Sequence, residues 1–145
     1  MKNREVADML DRIADALEIK GESGFKVVAY RKASRILQDM TEDVETVARE
    51  GRLETIPSIG EGLAKKIGEY LETGTMSKYR EVMEGVPESL LGLLEIQGLG
   101  GKTVHLMNKE LGVRTLEDLK RVVADGSLAG IISGAGGRVV LTIGQ

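Results

Sequence analysis

Three stretches of this chain hold residues whose types and spacing suit the capture of an anion. Ile56-Pro57-Ser58-Ile59-Gly60-Glu61-Gly62 leads into a segment whose apolar residues fall at Leu63, Ile67 and Leu71, a helical spacing. Ile96-Gln97-Gly98-Leu99-Gly100-Gly101-Lys102 repeats the pattern, and Ile132-Ser133-Gly134-Ala135-Gly136-Gly137-Arg138 repeats it more weakly. Each copy opens on an apolar residue and continues through a Gly-apolar-Gly turn, with Ser58 in place of the first glycine in copy one. Pro57 cannot sit in a helix interior, and Gly60 is expected to take the positive φ of a sharp turn.

A glycine turn that opens a helix leaves backbone N–H groups unpaired at the positive end of the helix dipole. Together these make an anion site that needs no charged side chain. A side chain in the turn would block close approach of a phosphate. The candidate anion-binding residues are therefore Ser58, Gly60 and Gly62, then Gly98, Gly100 and Lys102, then Gly134, Gly136 and Arg138, where Lys102 and Arg138 add a cation. Three such turns in series could track successive phosphates of one backbone. The plainer alternative is that they only connect helices. Copy one alone also carries Lys66, beside the core position Ile67, where the other copies have Leu106 and Thr142. Beside it the plain reading is a surface lysine next to Lys65.

The elements that must position these turns are helical throughout. Residues 3–18 read as a first helix, with Asn3 as its cap and Val6, Leu10, Ile13 and Leu17 as its core stripe. Gly21-Glu22-Ser23-Gly24 breaks it. A second helix runs from Phe25 to Gln38, with Ala29, Ala33, Ile36 and Leu37 inward, and Lys26 and Tyr30 sharing another face. Lys26, Tyr30 and Lys32 are read as a phosphate-facing surface or, more blandly, a solvated basic face. Thr41 is expected to cap a short third helix closed by Gly51, and Ser77 to cap another over 78–83. Gly85-Val86-Pro87 is the linker candidate, which divides the chain into 1–84 and 85–145. Thr115 caps a helix ending near Gly126. The third turn follows so late that a longer polypeptide, truncated here at its C-terminus, is expected.

Composition agrees with an all-α chain. Of 145 residues, 41% are hydrophobic but only 3% aromatic, so the core is aliphatic. Only two prolines occur, and no run alternates as a good strand would. The chain lacks cysteine, which excludes disulfides and thiolate metal sites and suits a cytoplasmic location. No signal peptide and no long apolar run is seen, so neither export nor a membrane partner is expected. The net charge of −3 weighs against general nucleic-acid binding, but Lys20, Lys26, Arg31, Lys32 and Arg35 concentrate basic charge before an acidic stretch. His105, the only histidine, is read as an ordinary exposed helix residue.

The turns resemble the helix-hairpin-helix motif, a sequence-independent DNA-binding element. Gly21-Glu22-Ser23-Gly24-Phe25-Lys26-Val27-Val28-Ala29-Tyr30-Arg31-Lys32-Ala33, followed by Ile56–Ile67 and Ile96–Met107, is similar to the amino-terminal region of family-X DNA polymerases, the group that includes DNA polymerase beta. The resemblance covers nearly the whole chain. It implies a small helical bundle followed by a second helix-hairpin-helix subdomain, and gapped, nicked or 5′-phosphorylated DNA as the partner of a monomer.

The resemblance also implies chemistry. In that family a lysine amine, here falling on Lys66, attacks the aldehyde of a 5′-deoxyribose phosphate, forms a Schiff base, and lets the phosphate leave by β-elimination. Lysine suits this because no other side chain is a primary amine, and it must first lose its proton. The family's 5′-phosphate pocket falls on Lys26 and Tyr30, with Lys32 nearby. Two family lysines fall on Gly62 and Glu54, so this pocket is less basic. Backbone carbonyls that take Na+ or K+ in such hairpins fall on Glu54, Ile56 and Ile59, and on Leu94, Ile96 and Leu99. No other cofactor is expected; Mg2+ would serve only a polymerase domain, which nothing after Gly126 resembles. Three readings follow: a DNA-holding fragment without polymerase activity, a deoxyribose-phosphate lyase, or a protein-interaction module that has lost DNA affinity.

Overall fold

The computed structural model describes residues 1–22, 24–96 and 98–128. These residues form eight α-helices and one 3-10 turn, and no strand occurs among them. The chain divides into two compact units. The first comprises 1–14 and 23–84, the second 15–22 and 85–145. The expected division after residue 84 did not foresee that 15–22 group with the later residues.

In the first unit, α1 (Asn3–Ile19) begins with a stripe of buried Val6, Ala7, Leu10 and Ile13. Asn3 does not cap this helix. It is buried, donates from Nδ2 to the Glu42 carbonyl (2.7 Å), and accepts the Val44 N–H at Oδ1 (2.9 Å). It thus satisfies an orphan donor at the start of α3 (Val44–Arg49). The cap of α3 is Asp43, which accepts from Glu45 N–H, and not Thr41. Asp43 lies directly before the first helical residue, where a short carboxylate reaches the N2 donor.

Helix α2 (Phe25–Asp39) buries Val27, Tyr30, Ala33, Ser34 and Leu37. The inward face is rotated from the expected one: Ala29 is exposed and Ile36 only half-buried. Burying the large ring of Tyr30 removes more apolar surface from water than burying Ala29 would. A 3-10 turn at Leu53–Thr55 leads to the first glycine turn and α4 (Glu61–Thr73), which buries Ile67 and Tyr70. Gly74 ends α4 in left-handed backbone (φ 79°), its N–H bonded to the Tyr70 carbonyl at 2.8 Å. Ser77 opens α5 (Ser77–Met83) but does not cap it. Its N–H and hydroxyl instead donate to the carboxylate of Glu69 on α4.

The second unit holds α6 (Glu88–Leu93), α7 (Gly101–Leu111) and α8 (Leu116–Ala124). Leu90, Leu93, Leu99, Val104, Met107, Val113, Leu119 and Val122 pack into one core with Ile19. That is why the end of α1 groups here. His105, expected to be exposed, is half-buried, and its Nδ1 lies 2.9 Å from the Ile19 carbonyl. Gly101 is closely covered as well: a Cβ there would meet Glu18 Cβ at 2.5 Å and the Asp15 carbonyl at 3.1 Å. Thr115 caps α8 as expected, accepting from Asp118 N–H at 3.2 Å. No helix among the described residues is long and apolar enough to cross a membrane.

Candidate functional site

The first two glycine turns share one backbone geometry. In the first, the Ile59 N–H bonds to the Ile56 carbonyl at 3.1 Å; in the second, Leu99 bonds to Ile96 at 3.1 Å. Ile59 and Leu99 are buried and anchor the turns. Gly60 (φ −90°, ψ −170°) and Gly100 (φ −97°, ψ 173°) then stand as the residues before the helices. Gly60 is therefore extended, contrary to the expectation of a positive φ. The left-handed position comes two residues earlier, at Ser58 (φ 68°) and Gly98 (φ 92°). The reversal is made there, so that the chain is already extended when it enters the helix.

Neither helix start has a side-chain cap. The ladder of α4 begins with Ala64 N–H to Gly60 carbonyl (2.9 Å), and that of α7 with Val104 to Gly100 (3.1 Å). The N–H groups of Glu61, Gly62 and Leu63, and of Gly101, Lys102 and Thr103, precede those ladders and point out of the helix ends. Ser58, Gly60 and Gly62 are exposed, as are Gly98, Gly100 and Lys102. No atom lies within 4 Å of a Cβ placed at Gly60 or Gly100, so packing does not require glycine at either position. Gly134, Gly136 and Arg138 of the third copy lie outside the described residues.

Beside the start of α4 is a cavity of about 280 Å³ lined by Lys26, Ala29, Tyr30, Gly62, Leu63, Lys66 and Lys78. Helix α2 contributes Lys26 and Tyr30, one helical turn apart. Helix α4 contributes Gly62 and Lys66 in the same way, and α5 contributes Lys78. Lys66 is half-buried, and its Nζ folds back to 3.5 Å from the Gly62 carbonyl, at the long limit of a hydrogen bond. A Cβ at residue 62 would lie 3.9 Å from that Nζ, so the glycine leaves the ammonium uncovered on its side. Three lysines and one tyrosine thus line a space with room for a phosphate, beside the start of α4.

Tyr30 is only 6% exposed, although it lines this space. Burial, and secondarily the Glu81 carboxylate, push its phenol above the ordinary range. It therefore remains a neutral hydroxyl, able to donate a hydrogen bond, throughout the physiological range. Glu81 also pairs with Lys78 at 3.4 Å, an exposed contact that a phosphate can displace.

The structure brings together Lys26, Tyr30, Gly62 and Lys66 of the residues singled out from sequence. Lys32 is exposed on α2 and does not line the cavity. Lys78 was missed. Its only sequence signal is a basic residue at the start of a short helix, and nothing local ties that helix to α2. Glu54 is exposed in the 3-10 turn. The carbonyls of Ile56 and Ile96 each accept one turn N–H, which leaves each a second lone pair. Among the described residues no group of three or more His, Cys, Asp or Glu side chains could hold a metal ion.

Comparison with known proteins adds the following. The helix-hairpin-helix domain family matches residues 1–76. The chain is 34% identical over 131 residues to the DNA polymerase/3′-5′ exonuclease PolX of Bacillus subtilis, covering 90% of this chain and 22% of that protein. It is 28% identical over 118 residues to DNA polymerase lambda of Rattus norvegicus, covering 81% of this chain and 20% of the relative. It is 29% identical over 120 residues to the DNA nucleotidylexotransferase of Ambystoma mexicanum, covering 82% and 22%. The chain thus spans about a fifth of the length of the curated relatives it matches.

Proposed function

We propose that this chain, which belongs to the helix-hairpin-helix domain family and matches the amino-terminal fragment of a family-X DNA polymerase, holds gapped or nicked DNA by its phosphates without reading its sequence. The observation that carries this reading is the gathering of Lys26, Tyr30, Lys66 and Lys78 around one cavity beside the uncapped start of α4. A terminal 5′-phosphate is a compact dianion. Three ammonium groups neutralise it, the Tyr30 hydroxyl donates to it, and the N–H groups of α4 add an oriented positive field. The exposed turns at 58–60 and 98–100 would take internucleotide phosphates in the same manner, Lys102 adding charge to the second. Backbone contacts of this kind specify position and not sequence. Such a role places a monomer in the cytoplasm with the DNA. Na+ or K+, bound by the carbonyls of Glu54, Ile56 and Ile59 or of Leu94, Ile96 and Leu99, would stiffen the turns, since hard oxygen donors suit such ions.

The test compares one-nucleotide-gapped DNA bearing a 5′-phosphate with the same DNA bearing a 5′-hydroxyl. The phosphate should strengthen binding about tenfold or more, the worth of one or two charge-assisted hydrogen bonds, and Lys26→Ala with Lys78→Ala should remove the preference. Equal binding of the two DNAs by the unaltered chain overturns the reading.

A second reading is favoured by the place of the Lys66 amine inside this same cavity. Once deprotonated, Lys66 Nζ would add to the C1′ aldehyde of a ring-opened 5′-deoxyribose phosphate. Loss of water gives the imine, loss of a C2′ proton follows, and the C3′–O bond breaks with the phosphate leaving. Borohydride should then trap a covalent adduct that vanishes in Lys66→Ala. Binding without an adduct would leave the holding function alone.

A further inference from the structure

Of the three lysines that line the cavity, only Lys78 pairs with a carboxylate among the described residues. Its partner is Glu81, three residues on in α5 and therefore on the same face of the helix. Lys78 Nζ lies 3.4 Å from Glu81 Oε1. The two side chains differ in freedom: that of Lys78 is 24% exposed, that of Glu81 70%. The lysine is thus held toward the cavity, while the acid is free to swing into water. Glu81 also acts on the hydroxyl of the cavity. After burial it is the second influence that raises the Tyr30 phenol, so its charge is felt on the α2 wall as well as on α5. The other acid that joins α4 to α5, Glu69, is engaged by the N–H and hydroxyl of Ser77 and does not line this space.

We infer that Glu81 is a resident anion of this cavity, an internal competitor that a DNA 5′-phosphate displaces; this rests on the DNA-holding function proposed above. Three ammonium groups around one space repel each other. A carboxylate tethered three residues from Lys78 lowers that repulsion in the absence of DNA, and the tether gives it an effective concentration on the order of millimolar. A terminal phosphate brings about 1.5–2 negative charges and three strong acceptor oxygens, more than the carboxylate offers. It therefore takes Lys78 from Glu81. The exposed Glu81 side chain turns to solvent without unpacking the helix, because α5 is anchored by buried Val82. Every anion that enters meets the same cost. That cost falls hardest on one that holds nothing else: a free phosphate has only this cavity, whereas a DNA end is held at the glycine turns too. Glu81 thus sets the affinity of the site and keeps it open to DNA rather than filled by dissolved phosphate.

The test measures binding of the full chain to one-nucleotide-gapped DNA bearing a 5′-phosphate or a 5′-hydroxyl. Glu81→Gln keeps the size of the side chain and removes its charge. It should tighten binding to the phosphorylated DNA about two- to fivefold, the worth of one exposed ion pair, and leave binding to the hydroxyl DNA nearly unchanged. The inhibition constant of inorganic phosphate against the phosphorylated DNA should fall by the same factor. Glu84→Gln removes an equal charge from the exposed end of the same helix and should not alter the preference for the 5′-phosphate. Because Lys78 holds the carboxylate at the cavity, Glu81→Gln should give no gain in a Lys78→Ala background, which closes a double-mutant cycle. The inference is overturned by equal gains on both DNAs, by an equal effect of Glu84→Gln, by a gain that survives Lys78→Ala, or by no gain and an unchanged inhibition constant. If the unaltered chain shows no preference for the 5′-phosphate, the function on which the inference rests fails instead.

Discussion

Ser58 and Gly98 occupy the same place in two turns of matching geometry, and both take left-handed backbone, at φ 68° and 92°. Among the described residues Ser58 is the only non-glycine residue that does so. Its Cβ makes that conformation costly by about 1–2 kcal/mol, whereas Gly98 avoids the cost. Ser58→Gly should therefore raise stability, by about 0.5–1 kcal/mol once the greater freedom of glycine in the unfolded chain is offset. Gly98→Ser should lower it by about 1–2 kcal/mol. Thermal melting of the two variants checks both signs, with shifts of a few degrees in opposite directions.

Two other glycines should separate in the same kind of experiment. Gly101 packs so closely on α1 that a Cβ would meet Glu18 Cβ at 2.5 Å and the backbone of Asp15 at 3.1 Å. Gly101→Ala should destabilise the second unit by about 1–3 kcal/mol through overpacking. Gly60→Ala meets nothing and keeps an ordinary φ, so it should melt as the original does. Its added methyl stands at the entrance to the α4 N–H groups and should weaken DNA binding. Urea denaturation and a binding titration on both variants distinguish a glycine kept for packing from one kept for access.

Asn3→Ala should cost about 1–3 kcal/mol, because it strands the buried Val44 N–H and the Glu42 carbonyl together. Asn3→Asp should be no rescue: a carboxylate can accept from Val44 but cannot donate to Glu42. Denaturant unfolding of the two variants checks this. A cost near zero for either would mean that water replaces the amide.

Acid should weaken both units through identifiable carboxylates. The hydrogen bonds from Ser77 hold Glu69 below the ordinary carboxylate range, and the backbone N–H of Arg114 does the same for Asp118. A group whose pKa is lower when folded lends stability that is complete above its unfolded pKa and is lost as pH falls through its folded one. Stability should accordingly hold down to about pH 5 and fall below about pH 4. Glu69→Gln and Asp118→Asn should each flatten that decline. Both groups are only half-buried, so raised salt should also flatten it.

Binding to DNA should fall steeply with salt, log K against log salt being linear with a slope that counts neutralised phosphates. Lys66→Ala and Lys78→Ala should each reduce that slope by roughly one if both ammonium groups contact phosphate. A slope unchanged by Lys78→Ala would remove that residue from the interface.

What the sequence determined by itself was local. The 3.6-residue period, the aliphatic composition and the glycine turns are written in neighbouring residues, so the all-α class and the repeated turn were legible there. The equivalence of the first two turns was visible in spacing alone, because a backbone hydrogen bond between Ile56 and Ile59 depends only on the residues it spans. The tertiary structure decided everything that depends on which faces meet. Sequence could not show that α2 turns Tyr30 inward and Ala29 outward, since both fit an amphipathic stripe and the choice follows from the area each removes from water. Nor could it show that Asn3 serves α3 from far along the chain, that residues 15–22 group with α7, or that α5 carries Lys78 to the cavity of Lys26 and Lys66. Those placements arise from contacts between distant segments, for which no run of neighbouring residues holds a signal.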